Sequence, residues 1–180
     1  PETEHLVIAL LDLARGRADA SALEIAAVGT GSGIIAVCAA KHLPTARVLA
    51  IDLSKAALAV ACKNAETHGV ADRLEFAEGD LFDGVPEGPR FDIIASNPPY
   101  VASSEFERLA RDVRDHEPRE ALLAGERGTE VIERLVPQAA QRLKAGGHLL
   151  IEISPMIHDA VCAIVRAEPR LRLEPTVKDL

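Results

Sequence analysis

Leu23-Glu24-Ile25-Ala26-Ala27-Val28 runs directly into Gly29-Thr30-Gly31-Ser32-Gly33, and that turn into Ile34-Ile35-Ala36-Val37-Cys38. A short apolar run, a glycine turn and a second apolar run reaching towards Pro44 read as strand, tight turn and helix. The unit then repeats: Arg47 to Ile51 reads as a strand, Asp52 stands at its end, and Ser54 caps a helix to about His68. Leu74 to Ala77 is a third strand and Phe91 to Ser96 a fourth. Ahead of these, Leu6, Val7, Leu10, Leu11 and Leu13 form a helical stripe over Thr3 to Ala14, with Thr3 available as a cap and an end near Gly16. Beyond them, Ser103 to Val113 and Thr129 to Leu143 read as helices, and Gly146-Gly147 ends the second and opens a strand from His148 to Ile153. A helix from Pro155 to Ala167 and a strand from Leu171 to Val177 finish the chain. Near-continuous apolar strands alternating with helices imply an α/β protein with a mostly parallel sheet covered on both faces, and residues 1–180 read as one domain.

In such sheets ligands bind outside the carboxyl ends of the strands. The unusual residues of this chain lie there: the glycines after strand one, Asp52 after strand two, Asp80 after strand three and Asn97 after strand four. The fourth position begins Asn97-Pro98-Pro99-Tyr100. Two prolines that cannot donate to a ladder end the strand, and each pushes the residue before it into an extended conformation. The carbonyls there have no helical partner, so the Asn97 side-chain oxygen and the Pro98 carbonyl could each accept one hydrogen of a planar NH2 group, with the Tyr100 ring alongside. Glutamine amides, adenine and cytosine all carry such a group. A plain proline turn after a strand is the competing reading of the same residues.

Gly29, Gly31 and Gly33 let the backbone turn sharply and let a ligand approach the next helix. A dinucleotide fingerprint needs its third glycine at the sixth position, where this chain has Ile34, and no Gly-Lys-Ser or Gly-Lys-Thr follows for a phosphate loop. NAD and nucleoside triphosphates are therefore disfavoured. Asp52, at a strand end 19 residues past Gly33, is placed to accept from the two hydroxyls of a ribose, or else to serve as an acid at a helix N-terminus.

Composition narrows the class further. A net charge of -8 argues against a duplex nucleic-acid binder, and Arg108, Arg111, Arg114 and Arg119 alternate with acids as on a solvated helix. Aromatic residues make up only 3%, so the core must be Leu, Val, Ile and Ala. Cys38, Cys62 and Cys162 sit in apolar runs without paired spacing, as reduced core thiols would, and none of the six histidines has metal-ligand spacing. No run of 18 apolar residues and no signal peptide is present, so the expected location is the cytoplasm, without a membrane partner. A start on Pro1 suggests a piece of a longer protein.

Taken together, Gly29-Thr30-Gly31-Ser32-Gly33, Asp52, Gly79-Asp80-Leu81-Phe82 and Asn97-Pro98-Pro99-Tyr100 resemble the class I S-adenosylmethionine-dependent methyltransferases that modify planar nitrogen. With Pro1-Glu2-Thr3-Glu4 and His116-Glu117-Pro118-Arg119, followed by Ala121-Leu122, the chain is more narrowly similar to the HemK-type glutamine N5-methyltransferases of peptide chain release factors. The resemblance spans essentially the whole chain and implies a Rossmann-like class I methyltransferase fold. It implies that S-adenosylmethionine lies on Gly29, Thr30, Gly31, Ser32, Gly33, Asp52, Asp80, Leu81 and Asn97, with Asp52 on the ribose and Asp80 and Leu81 at the adenine. It further implies that Asn97, Pro98 and Tyr100 carry the reaction on a glutamine of a Gly-Gly-Gln loop, and that Pro99, Glu117 and Arg119 help to hold the substrate. Glu117 and Arg119 also fit a structural ion pair.

The chain departs from the family in two ways. The acid usual two residues before the first glycine is here Ala27, and Glu24 lies at an odd offset on the opposite face of the strand. Losing a charge-assisted hydrogen bond there would weaken cofactor binding by about 1.5–3 kcal/mol. The family's N-terminal helical region and its final antiparallel strand are also absent from the 180 residues, which predicts an exposed sheet edge and impaired substrate docking. Rival readings are an N-methyltransferase acting on adenine or guanine of nucleic acid, and a cofactor-binding module without activity.

Overall fold

A computed structural model describes residues 2–17, 22–104, 106 and 122–177. They form two compact units: one runs through Asn97 and includes Gln141–Glu152, and the other comprises Pro98–Ala140 and Ile153–Val177.

The first unit is the alternating α/β body. In chain order it contains α1 (Glu2–Arg15), β1 (Glu24–Val28), α2 (Ile34–His42), β2 (Arg47–Asp52), α3 (Lys55–Thr67), β3 (Leu74–Glu78), β4 (Phe91–Ser96) and β7 (Leu143–Ile151). The five strands form one sheet in the order β3-β2-β1-β4-β7, and every pairing is parallel. The chain moves outward from β1 through β2 to β3, then returns to lay β4 on the other side of β1. That reversal creates the crevice between β1 and β4 where open α/β sheets bind ligands.

Buried strands explain the unbroken apolar runs. Ile25 and Ala27, Val48 and Ala50, and Ile93 and Ala95 each lie two apart, so they share one sheet face, and they pack with Leu6 and Leu10 of α1 and Ile35 and Val37 of α2. Ile25, Ile51, Ile93 and Ile94 are completely buried, and each contributes about 1.5–3 kcal/mol. At the opposite end of β4 from the crevice, Asp92 is 5% exposed among these apolar strands. Its carboxylate accepts from Lys144 Nζ at 2.8 Å, Arg17 Nη2 at 3.0 Å and the Glu24 N–H at 3.0 Å, so the buried charge is paired on every side.

β7 corrects one predicted boundary. Its ladder begins at Leu143 opposite Phe91, breaks, and resumes at His148 opposite Ile93. The intervening Gly146 has φ +74, and a Cβ on Gly147 would lie 3.0 Å from the Asp92 and Lys144 carbonyl oxygens, so the two glycines form a bulge within the strand. Among the described residues β7 is the outermost strand on that side, and His148 to Ile151 are part-exposed.

The second unit contains β5 (Val101–Ala102) paired in parallel with β6 (Leu123–Gly125), then α4 (Glu130–Arg142, whose last two residues belong to the first unit) and α5 (His158–Ala167). The two short strands carry too little pattern to be read in sequence. Ile132, Leu135, Val136 and Ala139 give α4 its buried stripe. Residues 171–177, read above as a strand, form no ladder: Arg172 and Glu174 pair with each other at 2.6 Å, and Pro175 supplies no N–H. The helix predicted over residues 103–113 falls almost entirely outside the described residues. Cys162 is buried as expected, but Cys38 and Cys62 are partly exposed, because α2 and α3 turn those positions away from the sheet.

Candidate functional site

Register alone brings the loops of the first unit together. Val28 pairs with Ile51 on one side and Ser96 on the other, and Asp52 pairs with Glu78. Gly29, Asp52, Gly79 and Asn97 therefore leave neighbouring strands at one end of the sheet. The Ser96 hydroxyl donates to the Val28 carbonyl at 2.8 Å and fastens the two strands where they diverge.

The glycine turn has two kinds of glycine. Gly29 and Gly31 have φ of +64 and +56, and a Cβ on either would meet nothing within 4 Å, so the space over both is open. Gly33 has φ +84 and caps α2; a Cβ there would sit 2.9 Å from the Ala61 Cβ, so this glycine serves helix packing. No side chain caps α2 and its first turn contains no acid, which leaves its N-terminal N–H groups available to an anionic group. Thr30 is 3% exposed, and its Oγ1 has no hydrogen-bond partner among the described residues. Open space, N–H donors and an unpartnered hydroxyl fit an amino-acid moiety carrying a carboxylate. Ala27, two residues before Gly29, is fully buried and pairs with Ala50 and Ala95. That position contributes no charge.

Asp52 fixes the turn. Its Oδ2 accepts the Gly31 N–H at 2.8 Å and its Oδ1 the Ser54 N–H at 2.9 Å, while Ser54 Oγ accepts from Ala57 N–H to start α3. The reading of Asp52 as an acid at a helix N-terminus thus describes one part of what it does. Each carboxylate oxygen retains a second acceptor site for a ligand hydroxyl. The Asp52 carbonyl accepts from Gly79 N–H at 3.1 Å and ties the turn after β3 to the same strand end. In that turn Asp83 N–H donates to the Asp80 carbonyl at 3.1 Å, and Leu81 takes φ +57 while 91% buried. A left-handed leucine costs about 1–2 kcal/mol. Backbone strain of this kind gathers at ligand sites.

Asn97 is held by residues that the sequence reading did not connect with it. Its Nδ2 donates to Glu152 Oε1 at 2.9 Å and to Thr3 Oγ1 at 3.2 Å. Thr3 therefore does not cap α1, which already begins at Glu2; it accepts from Asn97 instead. The one sequence signal for Glu152 was a carboxylate placed directly after the apolar run Leu149-Leu150-Ile151.

Pro98, Pro99 and Tyr100 open the second unit, with Pro98 buried and the other two half-buried. Within that unit a turn packs on this segment: a Cβ on Gly128 would meet the Tyr100 carbonyl oxygen at 2.6 Å, and the Gly125 carbonyl accepts from Ser103 N–H at 2.8 Å. His116, Glu117, Pro118 and Arg119 lie outside the described residues. Among the described residues no cluster of His, Cys, Asp and Glu could hold a metal ion, and no helix is long and apolar enough to cross a membrane.

Comparison with known proteins places this geometry. The chain is 49% identical over 158 residues to a release factor glutamine methyltransferase of Rhodopirellula baltica, covering 87% of this chain and 53% of the relative. It is 41% identical to the protein of the same name from Koribacter versatilis, covering 100% of this chain and 62% of the relative. The chain thus spans between half and two-thirds of the length of these relatives. A ribosomal protein L11 methylase from Lactobacillus delbrueckii subsp. bulgaricus has the same fold, with a TM-score of 0.65 at 23% identity over 92% of this chain and 68% of that one. Residues 8–115 match the family described as the methyltransferase small domain, which takes in the second half of α1, the glycine turn, Asp52, Asp80 and the Asn-Pro-Pro-Tyr segment. The chain belongs to the methyltransferase small domain family.

Proposed function

We propose that the intact protein transfers a methyl group from S-adenosylmethionine to the side-chain amide nitrogen of a glutamine in the Gly-Gly-Gln loop of a peptide chain release factor, in the cytoplasm. The observation that carries the reading is the Asn97 amide: both of its N–H bonds are engaged by Glu152 and Thr3, and its oxygen is left as the acceptor. An acceptor selects a donor, and a primary amide presents two N–H bonds in one plane. Relatives named for that substrate support the choice of glutamine over a nucleobase.

In this reading the open face over Gly29 and Gly31 and the start of α2 receive the amino-acid part of S-adenosylmethionine, the free acceptor sites of Asp52 receive its ribose hydroxyls, and the strained turn at Asp80 and Leu81 borders its adenine. The cofactor supplies a methyl group already activated on a sulfonium. The chain's own work is alignment: Asn97 Oδ1 and the carbonyl of Pro98, the next residue in the chain, hold the acceptor NH2 so that its nitrogen faces the methyl. Pro99, Tyr100, Glu117 and Arg119 are assigned to substrate contact.

The test is transfer of labelled methyl from S-adenosylmethionine into a purified release factor and into the same factor with its Gly-Gly-Gln glutamine replaced by alanine. Labelling of the first alone is expected. Labelling of both would refute the glutamine assignment, and labelling of duplex DNA in place of either would assign the rival nucleobase reading.

A further inference from the structure

We infer that Glu152 and Thr3 are positioning residues that set the direction of the Asn97 amide, an inference that rests on the proposed methyl transfer to a planar amide. The two ends of an asparagine side chain have nearly the same shape, so packing alone does not select between oxygen outward and nitrogen outward. A substrate that brings NH2 needs the oxygen. Glu152 Oε1 accepts from the Asn97 nitrogen at 2.9 Å, and a flipped amide would set two acceptor oxygens against each other there. Thr3 Oγ1, at 3.2 Å, takes the second hydrogen and stops the amide from swinging out of the Glu152 direction.

The holders are themselves fixed. Glu152 N–H donates to the Ser96 carbonyl at 3.0 Å, which extends the β4–β7 ladder one step past Ile151 and anchors the carboxylate beside the residue after Ser96. Thr3 stands in the first turn of α1, whose Leu6 and Leu10 are buried in the core. Residues 94 and 55 positions from Asn97 thus converge on one side-chain nitrogen.

Glu152→Gln in the intact protein is the test. Glutamine keeps the shape but can offer either oxygen or NH2, so both directions of the Asn97 amide become accessible. The expected result is a fall in kcat for release-factor methylation of at least about twofold, the share of amides turned the unproductive way, with KM for S-adenosylmethionine and the melting temperature unchanged. Thr3→Val should move kcat the same way by less. In an Asn97→Ala background Glu152→Gln should cost nothing further, because its action passes through Asn97. An equal loss in that background, or an unchanged kcat, overturns the inference. The Asn97 side-chain NH2 resonances give a readout apart from turnover: they should shift in Glu152→Gln, and unshifted resonances overturn the inference even if no release factor proves to be a substrate.

Discussion

Gly31→Ala and Gly33→Ala separate two uses of glycine in one turn. Both residues have positive φ, +56 and +84, so alanine at either pays about 1–2 kcal/mol for the left-handed conformation and recovers about 0.4–1 kcal/mol from a less flexible unfolded chain. The net cost of that step is about 0.5–1 kcal/mol at each. Gly33 adds a steric demand, since its new Cβ would stand 2.9 Å from the Ala61 Cβ and 3.1 Å from the Ala61 Cα, and backbone cannot move aside as a flexible side chain can. Overpacking of this kind costs about 1–3 kcal/mol more. Gly33→Ala should therefore melt about 2–12 °C below Gly31→Ala, taking about 2–4 °C per kcal/mol for a protein of this size. Gly31→Ala, by contrast, puts its methyl into the open space assigned to the cofactor and should weaken S-adenosylmethionine binding, measured by calorimetry, with little loss of stability. Ala61→Gly should recover part of the Gly33→Ala loss. Equal melting temperatures for the two variants, or no recovery on Ala61→Gly, would refute the division of the turn into a packing glycine and a ligand glycine.

Burial pushes the Asp92 carboxyl up, but Lys144, the Glu24 N–H and Arg17 together outweigh it and hold the group below its usual range. A depressed carboxylate stabilises the fold above its unfolded value, and that contribution disappears as pH falls through the folded one. Asp92→Asn should cost about 2–4 kcal/mol at pH 7, with melting curves of variant and wild type drawing together below about pH 4; a pH-independent gap would contradict the ionic assignment. In the second unit, Gly128→Ala would press a methyl onto the Tyr100 carbonyl, and methylation by the intact protein should fall at least about tenfold. An unchanged rate would show that this turn does not position Tyr100.

The parts of the site that were legible in the sequence are those fixed by local chemistry. Glycine and proline end apolar runs because of their own torsions, so Val28-Gly29 and Ser96-Asn97 could be placed without any partner strand. Alternation of such runs with helices was enough to predict a parallel sheet and to gather Gly29, Asp52, Asp80 and Asn97 at one end of it. What failed also has a local cause. Leu171, Leu173 and Val177 alternate as a strand would, yet a strand exists only with a neighbouring strand to bond, and none of the described strands pairs with this segment.

Tertiary structure alone decided the strand order, and with it which loops are adjacent. It alone gave both Asp52 oxygens to the Gly31 and Ser54 N–H groups, and gave the Asn97 nitrogen to Thr3 and Glu152. Sequence determines which groups a chain carries and how each bends its own backbone. A hydrogen bond between residues 94 positions apart depends on the register in which distant strands and helices settle, and that is set by the packing of the whole core.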